Sequence, residues 1–159
     1  MAHINKIELL VFDLDGVFTN GTVTISESGK EYKTISYQDL DAITKAQSMD
    51  CKIAVVTAED TKMVKTITDR FKINRVIKGA KDKLKAIEEL SLEYKIPFQN
   101  ICYVADGERD VPALKKVGLS FAPLNATSNA KAASSKCLKN QGGNGAVKEV
   151  IEILLKTYN

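Results

Sequence analysis

Four short segments of the chain carry side chains able to handle a phosphate and a cation: Asp13-Leu14-Asp15-Gly16, Thr57-Ala58-Glu59, Lys83, and Asp106-Gly107-Glu108-Arg109-Asp110. Asp13 and Asp15 stand one residue apart at the end of an apolar run, and Gly16 behind them permits a sharp turn and close approach of the backbone to a ligand. A single Asp in such a place is commonly a turn former or a helix cap. Two together repel unless a cation sits alongside. Thr57 ends a second apolar run, where its hydroxyl and the free amides of a following helix suit a phosphate oxygen, although threonine is also an ordinary capping residue. Lys83 falls in the first turn of a predicted helix, against the dipole, a penalty that an anionic ligand would remove; it is also one of many lysines, most of which are solvated in any protein. Asp106 leaves another apolar run and Asp110 follows one helical turn later, a spacing at which acids ligate a hard cation or hold its waters, and at which either alone reads as a cap or a surface acid. The single histidine, His3, lies in a terminus expected to fray, so histidine chemistry has no carrier. Carboxylates, lysine and hydroxyls remain.

Those residues need elements that bring them to one place. Apolar, β-branched runs at Ile7 to Phe12, Ile53 to Val56, Arg75 to Ile77 and Ile101 to Ala105, with a weaker one at Leu119 to Phe121, predict strands. The strongest are apolar at consecutive positions, the pattern of strands covered on both faces. Helical stripes lie between and after them, with Leu84, Ile87, Leu90 and Tyr94 in Asp82 to Tyr94, and Val147, Val150, Ile151, Leu154 and Leu155 in a closing helix. The alternation predicts an α/β fold with a doubly wound parallel sheet, Rossmann-like, whose ligands bind beyond the carboxyl ends of the strands. All four chemical segments then fall along that edge. One insertion, Gly21 to Ile35, reads as two strands about a Ser28-Gly29 turn, a short β-hairpin flap that should pack on the body or on another subunit.

Composition sets the limits. A chain of 159 residues with 44% hydrophobic and 27% charged residues reads as one globular domain spanning 1–159, and no apolar stretch reaches the length of a membrane span. The start of the chain lacks a signal-peptide pattern, so a cytoplasmic location is expected. The formal charge of +3 comes from 23 basic and 20 acidic residues interspersed along the chain, which argues against a nucleic-acid partner. Cys51, Cys102 and Cys137 suit reduced, packed thiols better than disulfides or a zinc site.

In the order Asp-x-Asp, Thr, Lys, Asp-x-x-x-Asp, the chain resembles the haloacid dehalogenase superfamily of phosphohydrolases over nearly its whole length. The absence of a large cap domain, the Asp15-Gly16-Val17-Phe18-Thr19-Asn20-Gly21 segment, the hairpin and the Gly142-Gly143-Asn144-Gly145-Ala146-Val147 tail resemble the capless 3-deoxy-D-manno-octulosonate 8-phosphate phosphatases, a family that includes nonulosonate 9-phosphate phosphatases. The resemblance implies Asp13 as the nucleophile that forms an aspartyl-phosphate and Asp15 as the acid–base group. It implies Mg²⁺ on Asp13, the Asp15 backbone carbonyl and Asp106, with Asp110 supporting from behind, and Thr57 and Lys83 on phosphoryl oxygens. It also implies a homotetramer built on the hairpins, with the glycine-rich tail loop at a neighbour's site; read without it, that loop is a plain flexible turn.

The chain departs from the family pattern mainly at substrate positions. Thr57-Ala58-Glu59 stands where octulosonate phosphatases have Thr-Gly-Arg, and Glu59 there resembles the nonulosonate branch. Glu59 would accept hydrogen bonds from sugar hydroxyls, and Arg70, about three turns along the same predicted helix, would meet a carboxylate; both also read as solvated helix residues. Asp39-Leu40-Asp41-Ala42 keeps the leading acid of an Asp-Gly-x-Gly stretch without its glycines, and Ala105-Asp106-Gly107 replaces Gly-Asp-Asp. Two other classes compete. A receiver-type signalling domain also uses acids, Thr and Lys at strand ends, but there Lys comes last, whereas Lys83 precedes Asp106. A catalytically silent oligomerisation domain, related to those appended to sialate cytidylyltransferases, would have little reason to keep all six groups.

Overall fold

A computed structural model describes residues 6–158, so His3 lies outside the described residues. The chain runs β1 (Leu9–Phe12), β2 (Thr24–Ile25), β3 (Glu31–Tyr32), α1 (Tyr37–Ala46), β4 (Lys52–Val56), α2 (Lys62–Arg70), β5 (Arg75–Ile77), α3 (Lys83–Tyr94), β6 (Ile101–Val104), α4 (Val111–Lys116), β7 (Leu119–Ala122), α5 (Ser128–Ala133), β8 (Lys136–Cys137) and α6 (Ala146–Tyr158). Six strands pair in parallel in the order β5-β4-β1-β6-β7-β8. The chain steps outward from β1 to β4 and β5, then returns to lay β6 on the other side of β1. That reversal opens a crevice beyond the carboxyl ends of β1, β4 and β6.

The consecutive apolar residues of β1 divide between two cores. Leu10 and Phe12 pack with Ile43, Val64, Ile67, Val147, Val150 and Ile151 on the face covered by α1, α2 and α6. Leu9 and Val11 pack with Ala86, Ile87, Leu90, Leu114 and Ala130 on the face covered by α3, α4 and α5. Every β1 and β6 residue is buried, as a strand sandwiched by helices must be. The expected doubly wound sheet, with a hairpin flap and no large cap domain, is the fold observed.

Three local expectations are corrected. The segment Lys136–Cys137 adds a sixth strand and Ser128–Ala133 a helix; an edge strand of two exposed residues carries no apolar run by which to find it. The helix beginning after Thr57 starts only at Lys62, with Thr61 extended at its N-cap, so Glu59 lies in the preceding loop and shares no helix with Arg70. Cys102 is buried and Cys51 half-buried, but Cys137 is exposed on β8, and all three thiols are free. No helix among the described residues is long and apolar enough to cross a membrane.

Candidate active site

The floor of the crevice is the loop that leaves β1. Asp13 continues the sheet through its N–H, which donates to Val104 O at 2.9 Å, and Leu14 O then accepts from Val17, Phe18 and Thr19 in one tight turn. Leu14, Val17 and Phe18 are fully buried, and Phe18 stacks between Phe12 and Phe71 at ring separations of 5.1 and 4.4 Å. Apolar anchors therefore hold the turn while Asp13 and Asp15 beside them line the crevice. Gly16 adopts φ +82°, and a Cβ there would lie 1.8 Å from Asp106 Oδ2, so the Asp106 carboxylate rests directly over the glycine. The crevice above has a volume of about 420 Å³.

Asp13 is buried, and its Oδ1 accepts from Leu14 N–H at 2.8 Å and pairs with Lys83 Nζ at 3.0 Å. Both of these donors meet Oδ1, while the Asp106 carboxyl stands beside Asp13 at the same floor. Burial holds its carboxyl well above the usual range; Lys83 opposes that rise, and Asp110 and Asp106 add to it. Asp106 is raised to about 6, first by burial and then by the Asp110 charge.

Lys83 is the first residue of α3, capped by Asp82, whose side chain accepts from Lys85 N–H. Far from being solvated, it is buried, with its ammonium 3.0 Å from both Asp13 Oδ1 and Asp110 Oδ1. Burial alone would lower its pKa, but the two carboxylates outweigh it and raise it, so the lysine stays a cation. Its third N–H is left for a ligand. Asp110 is itself clamped: Oδ1 also accepts from Tyr103 hydroxyl at 2.7 Å, and Oδ2 accepts from Gly107 N–H at 2.9 Å. Tyr103 is fully buried in β6, and its hydroxyl is the polar tip such a residue must satisfy. Thr57 is also buried; its N–H joins Ile77 O and its Oγ1 accepts from Glu59 N–H, and among the described residues no acceptor takes its hydroxyl proton.

Asp15 faces the other way, and here the flap enters. Its Oδ1 accepts from Thr19 Oγ1 at 3.0 Å, and its Oδ2 pairs at 2.9 Å with Lys33 Nζ, which also reaches Glu59 Oε2 at 2.9 Å. Lys33 follows β3, and its side chain is only 6% exposed. Asn125 closes the back of the loop, donating to Gly16 O at 3.1 Å and accepting from Gly142 N–H at 2.7 Å.

Oxygens of Asp13, Asp106 and Asp110 lie within 4.8 Å of one another. Asp13 and Asp110 are buried and Asp106 half-buried, Lys83 offsets only part of their combined negative charge, and an all-oxygen donor set fits a hard divalent ion such as Mg²⁺. The side chain of Asp15 is turned to Thr19 and Lys33 and lies outside this cluster.

Of the residues singled out from sequence, Asp13, Asp15, Thr57, Glu59, Lys83, Asp106 and Asp110 all line the crevice. Arg70 does not: it is the last residue of α2, with its guanidinium 6.0 Å over the ring of exposed Tyr37. Thr19, Lys33, Tyr103 and Asn125 also shape the site, although no spacing in the sequence marks them for it. Of these, Tyr103 alone carries a signal in the sequence, as a tyrosine inside an apolar strand whose buried phenol needs a partner. The glycine-rich tail packs on the chain's own loop: Gly143 N–H donates to Val17 O at 3.0 Å, and a Cβ on Gly142 would strike Gly16 O at 2.0 Å.

Residues 66–151 match the model of the haloacid dehalogenase-like hydrolase family. The 3-deoxy-D-manno-octulosonate 8-phosphate phosphatase KdsC of Escherichia coli K12 is 32% identical over 98% of this chain and 82% of its own. The crystal structure of that phosphatase from Moraxella catarrhalis, in complex with magnesium, phosphate and KDO, superposes with a TM-score of 0.90 at 29% identity, covering 94% of this chain and 86% of the other. The cobalt-bound enzyme of Haemophilus influenzae gives 0.89 at 25% identity, covering 96% and 90%.

Proposed function

We propose, on the premise that this chain belongs to the haloacid dehalogenase-like hydrolases and, among them, to the 3-deoxy-D-manno-octulosonate 8-phosphate phosphatase family, that it is a Mg²⁺-dependent phosphatase of a phosphorylated 2-keto-3-deoxy sugar acid. Family membership makes it a phosphoric monoester hydrolase. The finer reading rests on one observation above all: a buried Asp13 whose Oδ1 is held by Leu14 N–H and Lys83 beside a second carboxylate at the crevice floor.

In this reading Asp13 attacks phosphorus, forming an aspartyl-phosphate as the bond to the sugar oxygen breaks, and Asp15 delivers a proton to the leaving alkoxide. Asp15 then takes a proton from water, whose oxygen displaces Asp13 and releases inorganic phosphate. Thr57 hydroxyl and the free N–H of Lys83 hold phosphoryl oxygens throughout. Asp13, the Asp15 carbonyl and Asp106 would hold Mg²⁺, with Asp110 keeping Lys83 and Gly107 in register; the ion, when bound, neutralises charge on the transferring group.

The substrate is 3-deoxy-D-manno-octulosonate 8-phosphate, the compound for which the relatives are named, or a nonulosonate 9-phosphate. Glu59 on the crevice wall supports the second, since a carboxylate there accepts from the hydroxyls of a longer sugar tail. Steady-state assays on both substrates test the reading. We expect Mg²⁺-dependent turnover that Asp13→Asn abolishes, and a changed ratio of kcat/KM between the two substrates in Glu59→Arg. Turnover of Asp13→Asn at the parental rate would remove the nucleophile assignment, and an unchanged ratio would remove Glu59 from specificity.

A further inference from the structure

We infer that Lys33, carried on the flap, is a positioning residue that acts through Asp15, so that the seat of the flap on the crevice is a condition for proton transfer. The inference rests on the reading of Asp15 as the acid–base group. Its geometric basis is that the two oxygens of Asp15 have separate donors, one from the β1 loop and one from the flap.

The loop donor is fixed in direction. Thr19 Oγ1 is fully buried and accepts from Gly16 N–H and from Gly21 N–H, both at 3.3 Å. Those two contacts use its lone pairs, so its single hydrogen is left for Asp15 Oδ1 at 3.0 Å. That bond alone leaves the carboxylate plane loosely set, because the terminal torsion of an aspartate is broad and nearly two-fold. The second donor, Lys33 on Oδ2, sets it. The same ammonium takes Glu59 Oε2 at an equal 2.9 Å, so Lys33 spans from the acid–base group to the crevice wall.

The lysine has reason to stay. Its side chain is nearly sealed from solvent while its two carboxylate partners remain part-exposed to the crevice. An ammonium so placed depends on both partners, since an unpaired buried cation is strongly unfavourable. The hairpin that bears it consists of two strands of two exposed residues each, too little to hold its own shape. Lys33 therefore works in both directions: it docks the flap and it orients Asp15.

Misplacing a reacting group by an ångström can cost on the order of 100-fold in rate. With p-nitrophenyl phosphate as probe, whose aspartyl-phosphate still needs Asp15 for hydrolysis, we expect Lys33→Met to lower kcat by roughly 10- to 100-fold. KM, and inhibition by inorganic phosphate, should move far less, because Thr57 and Lys83 are untouched. Lys33→Arg should regain most of the rate. On an Asp15→Asn background, Lys33→Met should cost nothing more, since the group it acts through is gone. Thermal melting of each variant with and without phosphate checks the fold, and Lys33→Gln runs through the same cycle should Lys33→Met not fold. A kcat of Lys33→Met at the parental level, a loss confined to KM, or a full loss on a slow Asp15→Asn background would each overturn the positioning role. Parental turnover by Asp15→Asn alone would instead remove the acid–base reading beneath it.

Discussion

Asp13 and Asp106 face each other at the crevice floor in a setting where burial favours their protonated forms. Both carboxyls are raised in the folded chain, Asp106 to about 6 from an ordinary value of 3.8, so the native metal-free protein binds these protons more tightly than the unfolded chain does. The stability Asp106 contributes is present at acid pH and is lost as pH rises through about 6, and the contribution of Asp13 runs in the same direction. A divalent cation that replaces the protons reverses the loss. We therefore expect Mg²⁺ to raise the melting temperature more at pH 7.5 than at pH 5, measured against an EDTA control; equal shifts at the two pH values would contradict the acidic cluster as the ion's site. At the same scale lies the part of the site hardest to read in the sequence. Lys83 looked like any helix lysine and Tyr103 like part of an apolar run, yet their shared contact with Asp110 Oδ1 makes one buried network of them. Residues 27 and 7 positions away along the chain meet at that oxygen, and no local pattern encodes such a meeting.

Between elements, one residue of α1 decides how α6 begins. Asp39 is fully buried, and its carboxylate accepts from Lys148 N–H at 2.9 Å and Gly145 N–H at 3.3 Å, the unpaired amides at the start of α6. This explains why the leading acid of the Asp39-Leu40-Asp41-Ala42 stretch is kept where its glycines are not: the acid caps a helix from another part of the chain. The glycines that follow β8 lead into this junction, Gly142 held by Asn125 and Gly143 by the loop after β1. We expect Asp39→Ala to destabilise the fold by about 1–2 kcal/mol, with Asp39→Asn retaining part of the bond. In a chain of this length that is roughly a 2–8 °C fall in melting temperature, and a variant melting within a degree of the parent would contradict the cap.

For the whole molecule, the flap matters twice. It sends Lys33 into the crevice and leaves Val23, Ile25 and Tyr32 exposed at 42, 62 and 48% on a hairpin outside the body. Apolar side chains exposed on so small a hairpin are the kind of surface that an interface between copies of the chain would cover. We expect the protein to sediment as a tetramer and Ile25→Lys to shift it toward smaller species; an unchanged sedimentation coefficient would exclude the flap from the contact. Taken alone, the amino-acid sequence determined the parallel sheet, because strands buried on both faces need consecutive apolar residues, and it determined which edge holds the chemistry, because Asp13, Thr57 and Asp106 each end such a run. Only the tertiary structure decided which side chains touch. It separated Glu59 from Arg70 by starting the helix only at Lys62, buried Lys83 between two acids, and gave Asp15 its partner from the flap. Those outcomes depend on contacts between distant segments, whose geometry is set when helices and loops pack against the sheet and is not written in the spacing of any one segment.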